Sequence, residues 1–199
     1  MKSNDIHPIN DHLLDRIDKE HLLGQKGCVF WFCGLSGSGK STLAVQLERD
    51  LHNAGIHSVI LDGDSLRSTI NKDLSFSESD RTENLRRVSE LAKILLSNGL
   101  TVIVSFISPK KHFRETARGI IGEDYFREIF IDASFKTCQE RDVKGLYKKV
   151  KAGEIKNFTG VSSSFEPPSN PWITINTESE PLQESSQKLF NRIINEVRI

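Results

Sequence analysis

Between Gly34 and Ser41 the chain reads G-x-x-x-x-G-K-S, with a lysine and a hydroxyl set directly behind glycine. Glycine reaches backbone angles closed to other residues, so successive N–H groups can turn inward around phosphate oxygens. Gly34, Leu35, Ser36, Gly37, Ser38, Gly39, Lys40, Ser41 and Thr42 are therefore the candidate cradle. Lys40 stands where a side chain reaches β- and γ-phosphates, and the Ser41 hydroxyl stands where it can ligate Mg²⁺. The pattern carries weight only between a strand and a helix. Both flanks agree: the apolar run "CVFWFC" precedes it, and Leu43, Leu47 and Leu51 follow at helical spacing. A flexible Gly/Ser turn would need neither the lysine nor the flanks. The expected ligand is a nucleoside triphosphate.

Asp62 and Asp64 come next, on either side of Gly63 in "VILDGDSLR". At a strand's carboxyl end one such carboxylate can orient Mg²⁺ or its water, or accept a proton from an attacking hydroxyl. The same residues also suit an Asx turn or a cap before a helix over 65–71. Arg81 and Asn84 are three apart on one helix face, which with Arg67 could grip an anionic group. Arg86 and Arg87 read as solvated surface. Phe76 is either a hydrophobic staple or a stacking platform for a flat ring. A GTPase would carry N-K-x-D far downstream; "NKDL" at 71–74 has its Asp one place early and lies too near the loop.

The elements that must position these residues are legible as alternating runs. "CVFWFC" (28–33), "SVILD" (58–62), "TVIVSF" (101–106), "EIFID" (128–132) and "WITIN" (172–176) read as buried strands. Helical patterns separate the first four, including a stripe of Leu85, Val88, Leu91, Ala92 and Leu95 that ends at Asn98-Gly99. Ser77, with Asp80 three residues on, suggests a capping box at its start. This alternation predicts an α/β fold: a mostly parallel five-stranded sheet with helices on both faces. Residues 1–25 form a polar lead-in, and a single domain over 26–199 ends in a helix at about 181–198. The stretch 144–170 is rich in Lys, Gly, Ser and Pro and suits a mobile flap, with a lid at about 144–165.

The 199 residues suffice for one substantial core. Acidic and basic residues balance at 27 each, without the basic excess that a nucleic-acid polymer or an anionic membrane would demand. The three cysteines, Cys28, Cys33 and Cys138, lack metal-ligand spacing and read as reduced packing residues. The charged N-terminus resembles no signal or transit peptide, and runs such as "TVIVSFI" are too short to span a bilayer. The expected location is cytoplasmic.

The runs "DGDSLRSTINKDLSFSESDRTENLRRVSELAKIL", "VIVSFISP" and "KGLYKKVKAGEIKNFTG", with "GQKGCVFWFCGLSGSGKST", resemble the adenylylsulfate kinase family from about Leu23 to Asn176. The resemblance implies a P-loop NTPase fold and an ATP-dependent kinase. Such an enzyme transfers the γ-phosphoryl of Mg-ATP to the 3′-hydroxyl of adenosine 5′-phosphosulfate. On these residues it implies that Asp64 is nearest the reaction, as metal-water ligand or base, and that Ser41 and Asp64 serve the metal. Asp62, Arg67, Arg81 and Asn84 would serve the substrate, and Phe76 and Phe165 would sandwich its adenine. The backbone at Ile107 and Ser108 would line the pocket, Lys148 would belong to the lid, and Arg141 would lie by ATP. A homodimer and a functional link to ATP sulfurylase also follow from the resemblance. Ser108 has two readings: the family's phosphoserine intermediate, or an N-cap with Pro109 at the first helical position. Direct in-line transfer needs no covalent step. The chain departs from the family pattern at Ser65 (usually Asn), at "LRST" (usually "VRHG"), at Ser75 (usually Gly) and at Cys33 (usually Thr).

Overall fold

The computed structural model describes residues 7, 9, 12–155 and 158–199. After α1 (Arg16–Leu23) the chain enters β1 (Cys28–Cys33), then α2 (Lys40–Asn53), β2 (Ser58–Asp62), α3 (Gly63–Arg67) and α4 (Glu78–Leu96). It continues through β3 (Thr101–Ser105), α5 (Lys111–Ile121), β4 (Phe126–Asp132), α6 (Phe135–Arg141) and α7 (Leu146–Lys151), and closes with β5 (Ile173–Asn176) and α8 (Leu182–Val197). The strands form one parallel sheet in the order β2-β3-β1-β4-β5.

β1 is central and buried along its whole length. An unbroken apolar run suits a strand covered on both faces, and its alternate residues part company. Cys28, Phe30 and Phe32 join α2 and α8 in one layer, through Leu43, Leu47, Leu51, Leu189 and Ile193. Val29 and Trp31 join α4 and α5 in the other, through Leu85, Val88, Ala92, Phe113 and Ala117. Because β3 and β4 flank β1, the chain leaves the strand's carboxyl end where its connections diverge. In open sheets that crevice holds ligands, and Gly34 follows β1 directly.

Several local expectations change. The helix expected over 65–71 runs instead over Gly63–Arg67, because the Asp62 side chain caps it by accepting from Asp64 N and Ser65 N. Ser77 does cap α4, accepting from Asp80 N. The reciprocal half of the box is diverted: the Asp80 carboxylate takes the backbone N–H and hydroxyl of Ser75. Arg87 is not merely solvated, since it grips Asp73 at 2.8 and 2.9 Å and Glu83 at 2.8 Å, tying the 73 loop to α4. The flap has a packed base. Tyr147 and Phe158 are buried edge to face with Ala133 and Cys138 beside them. Lys156 and Asn157 of the lid motif lie outside the described residues. Cys28 and Cys33 are free and buried, and burial pushes both thiols up to about 12. Among the described residues no helix is long and apolar enough to cross a membrane.

Candidate functional site

The loop after β1 needs glycine on steric grounds at two positions. A Cβ at Gly34, where φ is 150°, would strike the carbonyl oxygen of Ile131; one at Gly37, where φ is 82°, would lie 2.8 Å from the Cys138 carbonyl oxygen. The loop is thereby pressed against β4 and α6 while α2 starts at its end. Gly39, the N-cap of α2, offers no side-chain acceptor to the first-turn amides, an arrangement suited to an anion. Thr177, just past β5, donates to Ser38 O at 2.8 Å and receives Arg141 at 3.1 Å. Arg141 also donates to Thr177 O at 2.6 Å and Gly37 O at 3.4 Å. It therefore lies against the phosphate loop.

Lys40 is 8% exposed and folds back over the loop, donating to Gly34 O at 3.0 Å and Leu35 O at 2.7 Å. Burial lowers its ammonium to about 8, because the charged form loses water and has only carbonyl dipoles in exchange. Phosphate oxygens would restore what burial removes. Ser41 donates to Asp62 Oδ2 at 3.2 Å and lies 3.3 Å from the Ser105 hydroxyl. Asp62 and Ser105 are register partners at the ends of β2 and β3, so the sheet itself brings these oxygens together. Asp62 divides its carboxylate: Oδ1 caps α3 and Oδ2 takes Ser41. Asp64 forms an ion pair with Lys144 at the base of the lid. It lies within α3, past the strand end that carries Asp62.

On the other side of the acid pair, Arg67 lies 4.4 Å over the Phe76 ring and Arg81 5.9 Å from it. Arg67 holds the loop by donating to Ser75 O at 2.9 Å, and Arg81 donates to Phe76 O at 3.1 Å and to Thr159 at 3.3 Å. Burial lowers both guanidinium pKa values, with the like charge of Arg81 adding to the effect on Arg67. Phe76 is 59% exposed, which fits a platform better than a staple. Asn84 does not share the open face with Arg81. It is buried, its oxygen accepting from Asn71 at 2.9 Å, because the stripe of Leu85 and Val88 turns that edge of α4 into the core. Phe165 stacks on Phe130 of β4 at 5.9 Å and 18°. Lys148 lies exposed on α7, its backbone N–H donating to Asp142 at 3.1 Å.

Ser108 is the strained residue of the site, with φ at +42° and 2% exposure. Its hydroxyl accepts from Trp31 Nε1 at 2.9 Å and its carbonyl from Arg114 at 2.8 Å. Arg114 is paired with Glu128 at 2.6 Å, both buried. The N-cap expected at Ser108 is not formed: α5 begins at Lys111, with Lys110 as cap residue. Arg114 draws the Ser108 carbonyl aside, so Pro109 lies outside the helix. Ile107 joins the phosphate loop directly, its carbonyl accepting from Gly34 N at 3.3 Å.

Sequence reasoning missed Ser105, Lys144, Thr177 and Tyr147, whose hydroxyl donates to Ser36 O at 2.9 Å. Each acts across a long separation, and for Lys144, Thr177 and Tyr147 the local sequence gives no signal. The strand-end position of Ser105 was the one usable clue.

A family model described as adenylylsulphate kinase matches residues 26–176. The adenylyl-sulfate kinase of Bacteroides thetaiotaomicron is 48% identical over 196 residues, 98% of each chain. That of Bacteroides fragilis is 50% identical over 98% of this chain and 97% of its own. A solved structure of the Mycobacterium tuberculosis APS kinase in complex with AMPPNP and APS superposes with a TM-score of 0.81 at 42% identity, over 85% of this chain and 98% of that one. An α/β sheet of this topology with its phosphate loop, acid pair and arginine–phenylalanine face, matched over most of its length by these proteins, places the chain in the adenylylsulfate kinase family.

Proposed function

We propose that the chain transfers the γ-phosphoryl group of ATP to the 3′-hydroxyl of adenosine 5′-phosphosulfate, giving 3′-phosphoadenylylsulfate and ADP. The observation that carries this reading is the meeting, at one sheet edge, of a phosphate loop, an acid pair and the Arg67–Phe76–Arg81 face. The donor's phosphates lie against the loop amides and Lys40, with Arg141 behind them. The acceptor's anionic end lies toward Arg67 and Arg81, and its adenine lies on Phe76, with Phe165 on the other side. Asn84 supports this face from behind through Asn71. The attacking ribose oxygen bonds to the γ-phosphorus as the bond to the β-bridging oxygen breaks, and its proton passes to Asp64. The 144–165 lid, with Lys148 outward, excludes the water that would otherwise take the phosphoryl group.

Mg²⁺ fits the oxygens present. Ser41, Asp62 and Ser105 supply hard donors of the kind the ion uses beside substrate phosphates and water. When bound it neutralises developing phosphate charge. Residues 26–199 act as one kinase domain behind the 1–25 lead-in. The exposed Leu13, Leu14, Ile17 and Leu22, on and before α1, suit burial between two copies in a homodimer. The acceptor must come from an adenylyl transfer to sulfate, hence the link to ATP sulfurylase.

With Mg-ATP and adenylylsulfate, ADP should form in step with 3′-phosphoadenylylsulfate. Turnover of a nucleoside or sugar acid, with adenylylsulfate inert, would point instead to a related small-molecule kinase. Binding of both nucleotides without transfer would leave a silent nucleotide-binding module.

Ser108 serves this reaction by position. Its hydroxyl is buried and occupied by Trp31, poorly placed for attack. Ser108→Ala should therefore keep turnover within about tenfold while leaving the buried indole N–H unpaired, at a stability cost of about 1–3 kcal/mol. Chemical denaturation and steady-state kinetics on one preparation check both halves. A loss of turnover as large as that of a deleted nucleophile would restore the covalent route.

A further inference from the structure

The N-terminus of α5 lacks a side-chain cap of its own: Lys110 occupies the cap position and offers no acceptor. The acceptor arrives from 55 residues downstream, where Glu166 Oε2 takes the Lys111 N–H at 2.9 Å. Lys110 reaches back to Glu166 Oε1 at 3.2 Å and to Ser164 at 2.7 Å. The Glu166 backbone N–H donates to Pro109 O at 2.8 Å. Residues 164 and 166 are thus both fastened to 109–111, and the residue between them is Phe165. Its ring is laid against Phe130 of β4.

From this geometry we infer that Glu166 is the positioning residue that fixes the Phe165 ring for the acceptor nucleotide, by capping α5 from the far end of the flap. The inference rests on the functional reading above, which gives Phe165 the acceptor's adenine. Its physical basis is the contrast between the two kinds of contact. The Lys110–Glu166 ion pair is exposed and contributes little by itself. The Lys111 N–H is an orphan donor at a helix start, where a carboxylate gains from both the charge-assisted hydrogen bond and the helix dipole. That contact holds the Glu166 carboxyl below its usual range, with Lys110 adding to it. The Pro109 bond then sets the register. Pro109 follows Ile107 and Ser108, which are held to the phosphate loop and to Trp31. The ring is thereby indexed to the donor's site through one short run of backbone, so its distance from the γ-phosphate does not depend on the middle of the flap.

Calorimetric titration of adenylylsulfate into the Mg-ADP complex tests this without requiring turnover. Glu166→Ala should weaken adenylylsulfate about tenfold, the scale of one charge-assisted hydrogen bond, with ADP affinity unchanged and an unfolding midpoint lowered by about 2–6 °C, as loss of one helix cap requires. Glu166→Gln keeps an oxygen for the Lys111 N–H and should recover most of the loss. A Glu166→Ala protein that binds adenylylsulfate as wild type does, or that loses ADP and adenylylsulfate by equal factors, overturns the inference. A wild-type complex that takes up no adenylylsulfate removes the functional reading itself, which is a distinct result.

Discussion

Replacing Lys40 by alanine should lower kcat/KM for ATP by on the order of 10³-fold, the scale seen when a single charge facing the transferred phosphoryl group is removed. The expectation rests on burial. The ammonium has been drawn out of water and held on two loop carbonyls, so little reorganisation is needed when phosphate oxygens replace them. The same burial gives a second signature. With its pKa lowered to about 8 in the free protein, Lys40 loses its charge within an accessible range, so kcat/KM for ATP should fall above that pH. The slope should approach tenfold per unit, while kcat at saturating ATP stays flatter because bound phosphate raises the pKa again. Linkage has a defined sign here. The unfolded chain carries the proton up to about 10.4, so on this account stability of the nucleotide-free protein rises with pH from about 8 upward. Cys28 and Cys33 act oppositely: their thiols, raised from 9.0 to about 12, lose stability as pH climbs through that interval. A flat kcat/KM profile from pH 7 to 9.5 would deny Lys40 its titration.

The sheet, its parallel direction and the placement of the phosphate loop were legible because each is written locally. β1 is an unbroken apolar run, and both faces of that run find partners with helical spacing. The misreadings share a different cause. Asn84 looked like an open-face residue because spacing from Arg81 is all that a helix pattern reports; Asn71, thirteen residues away, takes it into the core. Ser108 looked like a cap because Pro109 follows it, yet the buried Arg114–Glu128 pair decides where α5 begins. The flap's lysines, glycines, serines and prolines give no sign of the cluster around Tyr147 and Phe158 that packs its base. Local composition sets which element forms. Contacts across long separations set which way its polar residues face.

The acid pair offers the sharpest division of labour. Asp62 and Asp64 are two residues apart and equivalent on paper, but one faces Ser41 and the other faces the lid. Asp64→Asn keeps the shape and removes the proton acceptor, so kcat should fall by about 10²–10⁴-fold, with little change in KM for ATP. Asp62→Asn should chiefly raise the Mg²⁺ concentration giving half-maximal rate, and shift α3 through its cap. Lys144 explains how Asp64 can be both held and available. An exposed ion pair contributes about 0–1 kcal/mol, enough to bias the side chain yet small against the binding of two nucleotides. Lys144→Ala should therefore leave the unfolding midpoint nearly unchanged. Should Asp64→Asn instead raise the Mg²⁺ requirement while Asp62→Asn spares it, the two carboxylates have exchanged roles, and the metal sits with the residue that faces the lid. If neither substitution slows turnover by tenfold, proton transfer to a side chain is not part of the rate-limiting step, and the site works by charge and position alone.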